Sequence, residues 1–348
     1  MRITHVVATD QFAGLERYVV DVAGEQSRRG HDVVVVGGRG DVVRPLLSGT
    51  GARHVAGARL GDVVRALRSG GRRDVVHSHL TRADYAALLA APTTRGRRVS
   101  TRHITAPRGH GRGARAVAPL VRRALAVEVA VSTWTSEQLE RPADVVLLNG
   151  VREQPDVTAP RARTVVMAHR LVPEKDTPTG LRAWAASGLA DRGWRLVVAG
   201  DGEDRADLER LCQSLDGAGA GAGAVEFTGW HPDPGALFRE ASALLAPAPT
   251  EPCGLTVLEA MALGTPVVAA GAAGHLETLG QHPVAALFPP GDHEAAAAHL
   301  RRLADDDDAR RAYGDELRDL QRRELSLDVH VDRLQRVYED ALAGGRGR

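Results

Sequence analysis

Short β-branched runs separated by helical patterns set the organisation of this chain. Over the first 150 residues Ile3–Ala8, Asp32–Val36, Asp74–His77, Arg98–Arg102, Val127–Val131 and Asp144–Leu148 read as buried strands. Amphipathic stretches such as Leu15–Arg29 and Thr81–Ala91 lie between them. Strand, helix, strand repetition at this spacing predicts a parallel sheet covered on both faces, joined by right-handed crossovers. A polar stretch from Val151 to Arg163, carrying Pro155 and Pro160, reads as a linker. The pattern then restarts with strands at Thr164–Ala168, Trp194–Ala199, Val225–Thr228, Ala243–Ala246, Pro266–Ala270 and Ala285–Phe288. Gly217–Ala224 reads as a surface loop, and the chain beyond Asp292 reads as helical to Ala343, with a solvated acidic turn at Asp305–Asp308. The prediction is α/β, with two Rossmann-like, doubly wound parallel-sheet domains. Such domains bind ligands outside the carboxyl ends of their strands, so a cleft shared by the two is the expected site.

Composition adds three constraints. The 348 residues are 43% hydrophobic and 26% charged, which argues against disorder and coiled coil. No apolar run approaches the roughly 18 residues of a membrane span, and the opening run is too short for a signal peptide, so a cytoplasmic location is expected. Two cysteines, Cys212 and Cys253, supply neither a disulfide framework nor a zinc site, and no metal is expected.

Charge is uneven. Residues 1–150 hold 23 Arg against 13 acidic residues, and the remainder 22 basic against 31 acidic. Closure over an anionic ligand and simple mutual attraction of the halves both fit this asymmetry. Of 45 basic residues only Lys175 is lysine, and Asn149 is the only asparagine. Lysine is a compact point charge that approaches a phosphate closely, and asparagine tolerates a left-handed backbone before glycine. Between Asp84 and Glu128 stand nine Arg and no acid. An Arg-rich solvated face or an anionic acceptor is favoured there over membrane docking, because aromatic anchors are missing after Tyr85. The lack of stacking platforms also argues against nucleic acid.

The segment Glu251-Pro-Cys-Gly-Leu-Thr-Val-Leu-Glu259-Ala-Met-Ala-Leu-Gly264 carries the most chemistry. Gly254 leads into a helix over Leu255–Leu263, placing one carboxylate before the helix and one on its second turn. Unpaired N–H groups at a helix start suit a phosphate or sugar oxygen, and carboxylates accept from hydroxyls. No Lys or Arg occurs from Glu240 to Leu300, so neither carboxylate has a cation close in sequence.

This segment resembles the Glu-x7-Glu signature of glycosyltransferase family 4, the retaining glycosyltransferases of GT-B fold. Thr164–Lys175 resembles the family's strand followed by Gly-Arg-Leu and Glu-Lys, with His169 replacing Gly. Leu196–Gly202, Asn149-Gly150-Val151, Asp74–His79, Ser100–His103, Ala130-Val-Ser132 and Phe12–Glu16 resemble further landmarks, the last with Ala13 in place of a Gly. The resemblance implies two domains facing across a cleft: an acceptor-side domain over 1–155, a nucleotide-sugar domain over 162–325, and a final helix, 326–348, crossing back to the first.

The activity it implies is metal-independent transfer of a hexose or aminohexose from a nucleotide diphosphate sugar, UDP- or GDP-linked, to a hydroxyl acceptor, without a cofactor. Compact size and missing membrane anchors point to a small soluble acceptor, as in glycoconjugate or antibiotic biosynthesis. Arg170 and Lys175 would neutralise the donor diphosphate, and Glu259 would hold ribose hydroxyls and Glu251 sugar hydroxyls. Cys253, Gly254 and Leu255 would present backbone groups, Gly14 and Gly200 would line the donor site, and His103 would lie near the donor sugar. Glu251 is assigned to positioning, since the family is described by attack on the same face as the leaving group, with the leaving phosphate accepting the proton. His169 would add charge or narrow the pocket, and Cys253, where the family often has Phe, would leave a smaller wall. The alternatives are a nucleotide-sugar 2-epimerase and an inactive donor-binding scaffold.

Overall fold

A computed structural model describes residues 1–108, 112–216, 224–231 and 233–344, the side chains of 112–116 and 216 excepted. All of the expected Gly-Ala loop except Ala224 lies outside them. The chain divides into two compact units, one formed by Met1–Gly150 with Leu327–Arg348 and the other by Val151–Ser326.

The first unit runs β1 (Arg2–Val7), α1 (Gly14–Arg28), β2 (Asp32–Gly37), α2 (Gly40–Leu47), β3 (Arg53–Val55), α3 (Leu60–Ser69), β4 (Val75–His79), α4 (Thr81–Ala90), β5 (Arg97–Arg102), α5 (Arg112–Ala124), β6 (Val127–Ala130), α6 (Thr133–Glu137) and β7 (Val145–Val146). Its seven strands are parallel in the order β3-β2-β1-β4-β5-β6-β7. Strand order reverses between β1 and β4, whose register sets His5 opposite His77. The valine-rich strands are buried on both faces, as a covered parallel sheet requires.

The second unit runs β8 (Ala162–Ala168), α7 (Thr177–Ser187), β9 (Arg195–Ala199), α8 (Arg205–Asp216), β10 (Val225–Gly229), α9 (Pro234–Glu240), β11 (Ala241–Ala246), α10 (Leu255–Ala262), β12 (Val267–Ala270), α11 (Ala273–Thr278), β13 (Ala286–Phe288), α12 (His293–Asp305) and α13 (Asp307–Glu324). Six parallel strands lie in the order β10-β9-β8-β11-β12-β13, so the switch falls between β8 and β11. The acidic turn is a helix start: the Asp306 carboxylate caps α13 by accepting from the N–H groups of Asp308 and Ala309. A last helix, α14 (Leu327–Ala343), packs on α1 and β5 of the first unit.

Two expectations are corrected here. Among the described residues positive φ outside glycine occurs at Leu80, Asp176 and Ala273, not at Asn149, whose side chain is buried. Nor is the Arg-rich stretch a solvated face throughout. Arg102 and Arg108 are buried, and Arg108 pairs with Asp84 at 2.8 Å and with Glu128 at 2.5 Å. Arg122 joins Glu128 from the other side at 3.0 Å. The acids that bound the stretch in sequence are its partners in space, so these guanidiniums are spent on holding α4, α5 and β6 together. No helix among the described residues is long and apolar enough to cross a membrane.

Candidate functional site

In the second unit the carboxyl ends of β8 and β11, at the strand-order switch, open onto a cleft lined by His169, Lys175, Glu251, Gly254, Thr256 and His275, among others. Each reaches it for a local reason. β8 ends at Ala168, and the chain leaves through His169 to a short 3-10 turn, Pro173–Lys175, closed by Asp176 at φ 48°. That left-handed residue starts α7 and leaves Lys175 turned back toward the sheet. After β11 the loop brings Glu251 to the start of α10, where Gly254 sits at φ 81°. A Cβ at Gly254 would be strained by that conformation and would approach the His275 ring to 3.1 Å.

The central contact joins the two segments. Lys175 Nζ donates to Glu251 Oε2 at 2.5 Å, and the Gly254 N–H donates to Oε1 at 3.2 Å. Both side chains are about four-fifths buried, with 18% and 19% of their surface exposed. Burial opposes ionisation of Glu251, but the Lys175 ammonium and the Gly254 N–H outweigh it and hold the carboxyl below its ordinary value. The cation that its own segment lacks comes from the only lysine of the chain.

Two histidines flank the pair. Burial, reinforced by Lys175, pushes His169 down to about 3, so the ring is neutral at physiological pH and adds no charge to the cleft. It shares a hydrogen bond with Thr177 Oγ1 at 2.9 Å. His275 is likewise lowered by burial and donates through Nδ1 to the Ala270 carbonyl, leaving Nε2 as an acceptor. Sequence reasoning missed His275; its signal is its place at the start of the helix after β12.

Other expected donor-site residues do not line this cleft. Arg170 is exposed and paired with Glu174 at 3.0 Å. Cys253 is buried, so its side chain is not a wall of the cleft, and Leu255 and Glu259 are half-buried on α10. Gly200 serves the fold: a Cβ there would stand 1.8 Å from the His169 carbonyl oxygen, so only glycine lets β9 end under that turn.

Gly14 and His103 belong to the first unit. Gly14 is the first residue of α1, where the preceding Ala13 N–H donates to Glu16 at 2.8 Å. His103 follows β5 and its Nε2 meets His79 Nδ1 at 3.0 Å. His79 Nε2 in turn meets His5 Nδ1 at 3.0 Å, and His5 Nε2 meets Gln26 Oε1 at 2.8 Å. Burial keeps these rings neutral, with His5 lowered to about 4 and His103 to about 3. Sequence analysis did not find this chain of rings; alternate histidines on β4 facing one on β1 are its signal.

His5, His77 and His79 are close enough to share a metal ion. However, every ring nitrogen of the three already has a protein partner, since His77 binds Tyr338 and Thr101. The cluster is a hydrogen-bonded core, not a set of open ligands.

Residues 12–154 match the family model described as Glycosyltransferase Family 4, and residues 153–319 the one described as Glycosyl transferases group 1. The chain is 29% identical over 239 residues to an exopolysaccharide phosphotransferase of Streptomyces coelicolor, covering 65% of this chain and 24% of that protein. It is 36% identical over 169 residues to D-inositol 3-phosphate glycosyltransferase 1 of Catenulispora acidiphila, covering 45% of this chain and 39% of that protein. The chain thus spans only about a quarter to two-fifths of the length of these relatives. Among solved structures, Anabaena HepE in complex with UDP and glucose superposes with a TM-score of 0.78 over 98% of this chain and 100% of that one, at 18% identity. That likeness shows the fold, two parallel-sheet α/β domains of GT-B type. With the two family models together running from residue 12 to residue 319, the chain belongs to the family 4 glycosyltransferases.

Proposed function

We propose that the protein transfers a hexose or aminohexose from a nucleotide diphosphate sugar to a hydroxyl acceptor, with retention of configuration and without a metal. The observation that carries this reading is the Lys175–Glu251 pair, set beside the start of α10 at the strand-order switch of the second unit. Polyol and diphosphate recognition need a carboxylate, a compact cation and the N–H groups of a helix start, and these lie side by side at the cleft.

In the proposed reaction the bond between the sugar C1 and the diphosphate oxygen breaks, and its electron pair stays on the diphosphate. Lys175 and Arg170 stabilise the charge that develops there. The acceptor hydroxyl forms the new bond to C1 from the same face, and its proton passes to the departing phosphate oxygen, releasing nucleoside diphosphate. Glu251 holds the sugar hydroxyls without becoming glycosylated, and Glu259 holds the ribose. Cys253, Gly254 and Leu255 supply backbone groups, while Gly200 supports the turn that carries His169. His103 hydrogen-bonds a substrate hydroxyl, and Gly14 leaves its loop without a side chain in the way.

The test is a panel of UDP-glucose, UDP-N-acetylglucosamine and GDP-mannose, each incubated with the protein in EDTA, with nucleoside diphosphate release followed by phosphorus NMR and the product anomer by proton NMR. One donor cleaved in EDTA, with its anomeric configuration kept, is expected. Isomerised donor without release would establish the epimerase, and binding without turnover the inactive scaffold.

A further inference from the structure

We propose that Gln26, His5 and His79 form a tautomer relay that fixes which nitrogen of His103 carries the hydrogen, so that His103 presents Nδ1 as a hydrogen-bond acceptor. Donors and acceptors follow in series from the direction of the Gln26 amide. A neutral imidazole has one N–H and one lone pair. The Gln26 amide oxygen, which can only accept, lies 2.8 Å from His5 Nε2, so His5 carries its hydrogen there. His5 Nδ1 is then a lone pair, and the contact at 3.0 Å requires His79 to carry its hydrogen on Nε2. His79 Nδ1 is in turn an acceptor, and His103 must donate to it through Nε2. Among the described residues no hydrogen bond reaches His103 Nδ1, which keeps its lone pair uncommitted.

Burial is what makes the relay rigid. Protonation of His5 or His79 would set two N–H groups against each other, and desolvation drives all three rings far below neutrality. Neighbouring groups do not interrupt the series. His77 lies beside it but spends its nitrogens on Tyr338 and Thr101. Tyr18 stands edge-on to the His103 ring at 5.1 Å and is itself held by His330, whose Nδ1 donates to the Leu148 carbonyl. Turning the Gln26 amide around would reverse every donor in the series and make His103 Nδ1 a donor. The amide of a residue on α1 therefore sets the chemistry of a ring beyond the end of β5.

Gln26, His5 and His79 are thus positioning residues, and the role of His103 toward a substrate hydroxyl rests on the function proposed above. The tautomer does not, so it is measured first, by two-bond proton–nitrogen correlation on the full chain labelled in histidine, at neutral pH without donor. His103→Gln assigns the His103 signals. The relay predicts His103, His79 and His5 all neutral with hydrogen on Nε2; hydrogen on His103 Nδ1 in the wild-type protein would overturn it. In Gln26→Met the acceptor is gone, and His103 should show a mixture of both tautomers; an unchanged pattern in the folded variant would also overturn the relay. With a donor that turns over, this variant should raise KM roughly two- to tenfold and leave kcat nearly unchanged, the mark of one neutral hydrogen bond in ground-state binding. A shifted tautomer with unchanged KM would show that the relay does not position His103 for substrate. A fixed tautomer in a protein that cleaves no donor would instead count against glycosyl transfer and leave the relay standing.

Discussion

Lys175 Nζ stands 2.5 Å from Glu251 Oε2 across 76 residues of sequence. The pair joins the turn after β8 to the loop before α10 and fixes the direction of the ammonium. In the proposed reaction a donor phosphate meets an ammonium that is already oriented, which reduces the reorganisation left for the reaction itself.

Removing that ammonium should act on turnover. Lys175→Ala is expected to lower kcat by about 100- to 1,000-fold, the range for losing one preorganised group that stabilises developing negative charge. Lys175→Arg should recover only part of it, because a planar fork replaces a point charge. Steady-state kinetics with the active donor check both, and a wild-type kcat in Lys175→Ala would remove the residue from the reaction.

Arg170 separates function from stability. Its side chain is 67% exposed and its partner Glu174 is a surface residue, so Arg170→Ala should change unfolding free energy by no more than about 0.5 kcal/mol. Turnover should fall while urea midpoints stay put. A large shift in midpoint with intact turnover would reverse the assignment.

The buried arginine cluster predicts the opposite behaviour. Arg108 is 2% exposed and faces Asp84 and Glu128, both equally buried. Arg108→Ala leaves two carboxylates in the interior without that cation and should cost about 3–5 kcal/mol in urea unfolding at neutral pH. Were the stretch a solvated face, the cost would vanish.

Acid should unfold the protein through its histidines. His5 and His330 are lowered to about 4 and His169 and His103 to about 3, from an ordinary 6.5. Between those values the unfolded chain binds protons that the native state refuses. The stability they contribute is complete above pH 6.5 and drains as pH falls, by about 1.4 kcal/mol per pH unit for each ring. Glu251 has the same sign, its contribution being lost as pH falls below its ordinary 4.5. Urea unfolding at intervals from pH 7.5 to pH 5 checks this, and a flat profile would contradict it.

The parts of the fold that were legible in the sequence are those whose signal is local. Buried parallel strands leave apolar runs, and β2, β8, β9 and β12 fall within one or two residues of where valine and alanine runs place them. α10 was legible from Gly254 and Gly264 at its two ends. β3, three residues of Arg-His-Val at a sheet edge, has no such run. The partner of Glu251 was not legible, because the cation comes from another strand's exit turn. The same holds for Arg108, whose stretch shows no acid until folding brings Asp84 and Glu128 to it. The histidine series escaped notice because its members lie on β1, β4 and beyond β5, and only strand register aligns them.

The central claim is that the Lys175–Glu251 pair serves glycosyl transfer from a nucleotide sugar. It is tested most directly by nucleoside diphosphate release from the donor selected in the panel, measured side by side for wild type, Lys175→Ala and Glu251→Gln, each first shown to be folded. The account predicts release by the wild type, loss of most turnover in Lys175→Ala, and weakened donor use in Glu251→Gln. Equal release by all three folded proteins would contradict it.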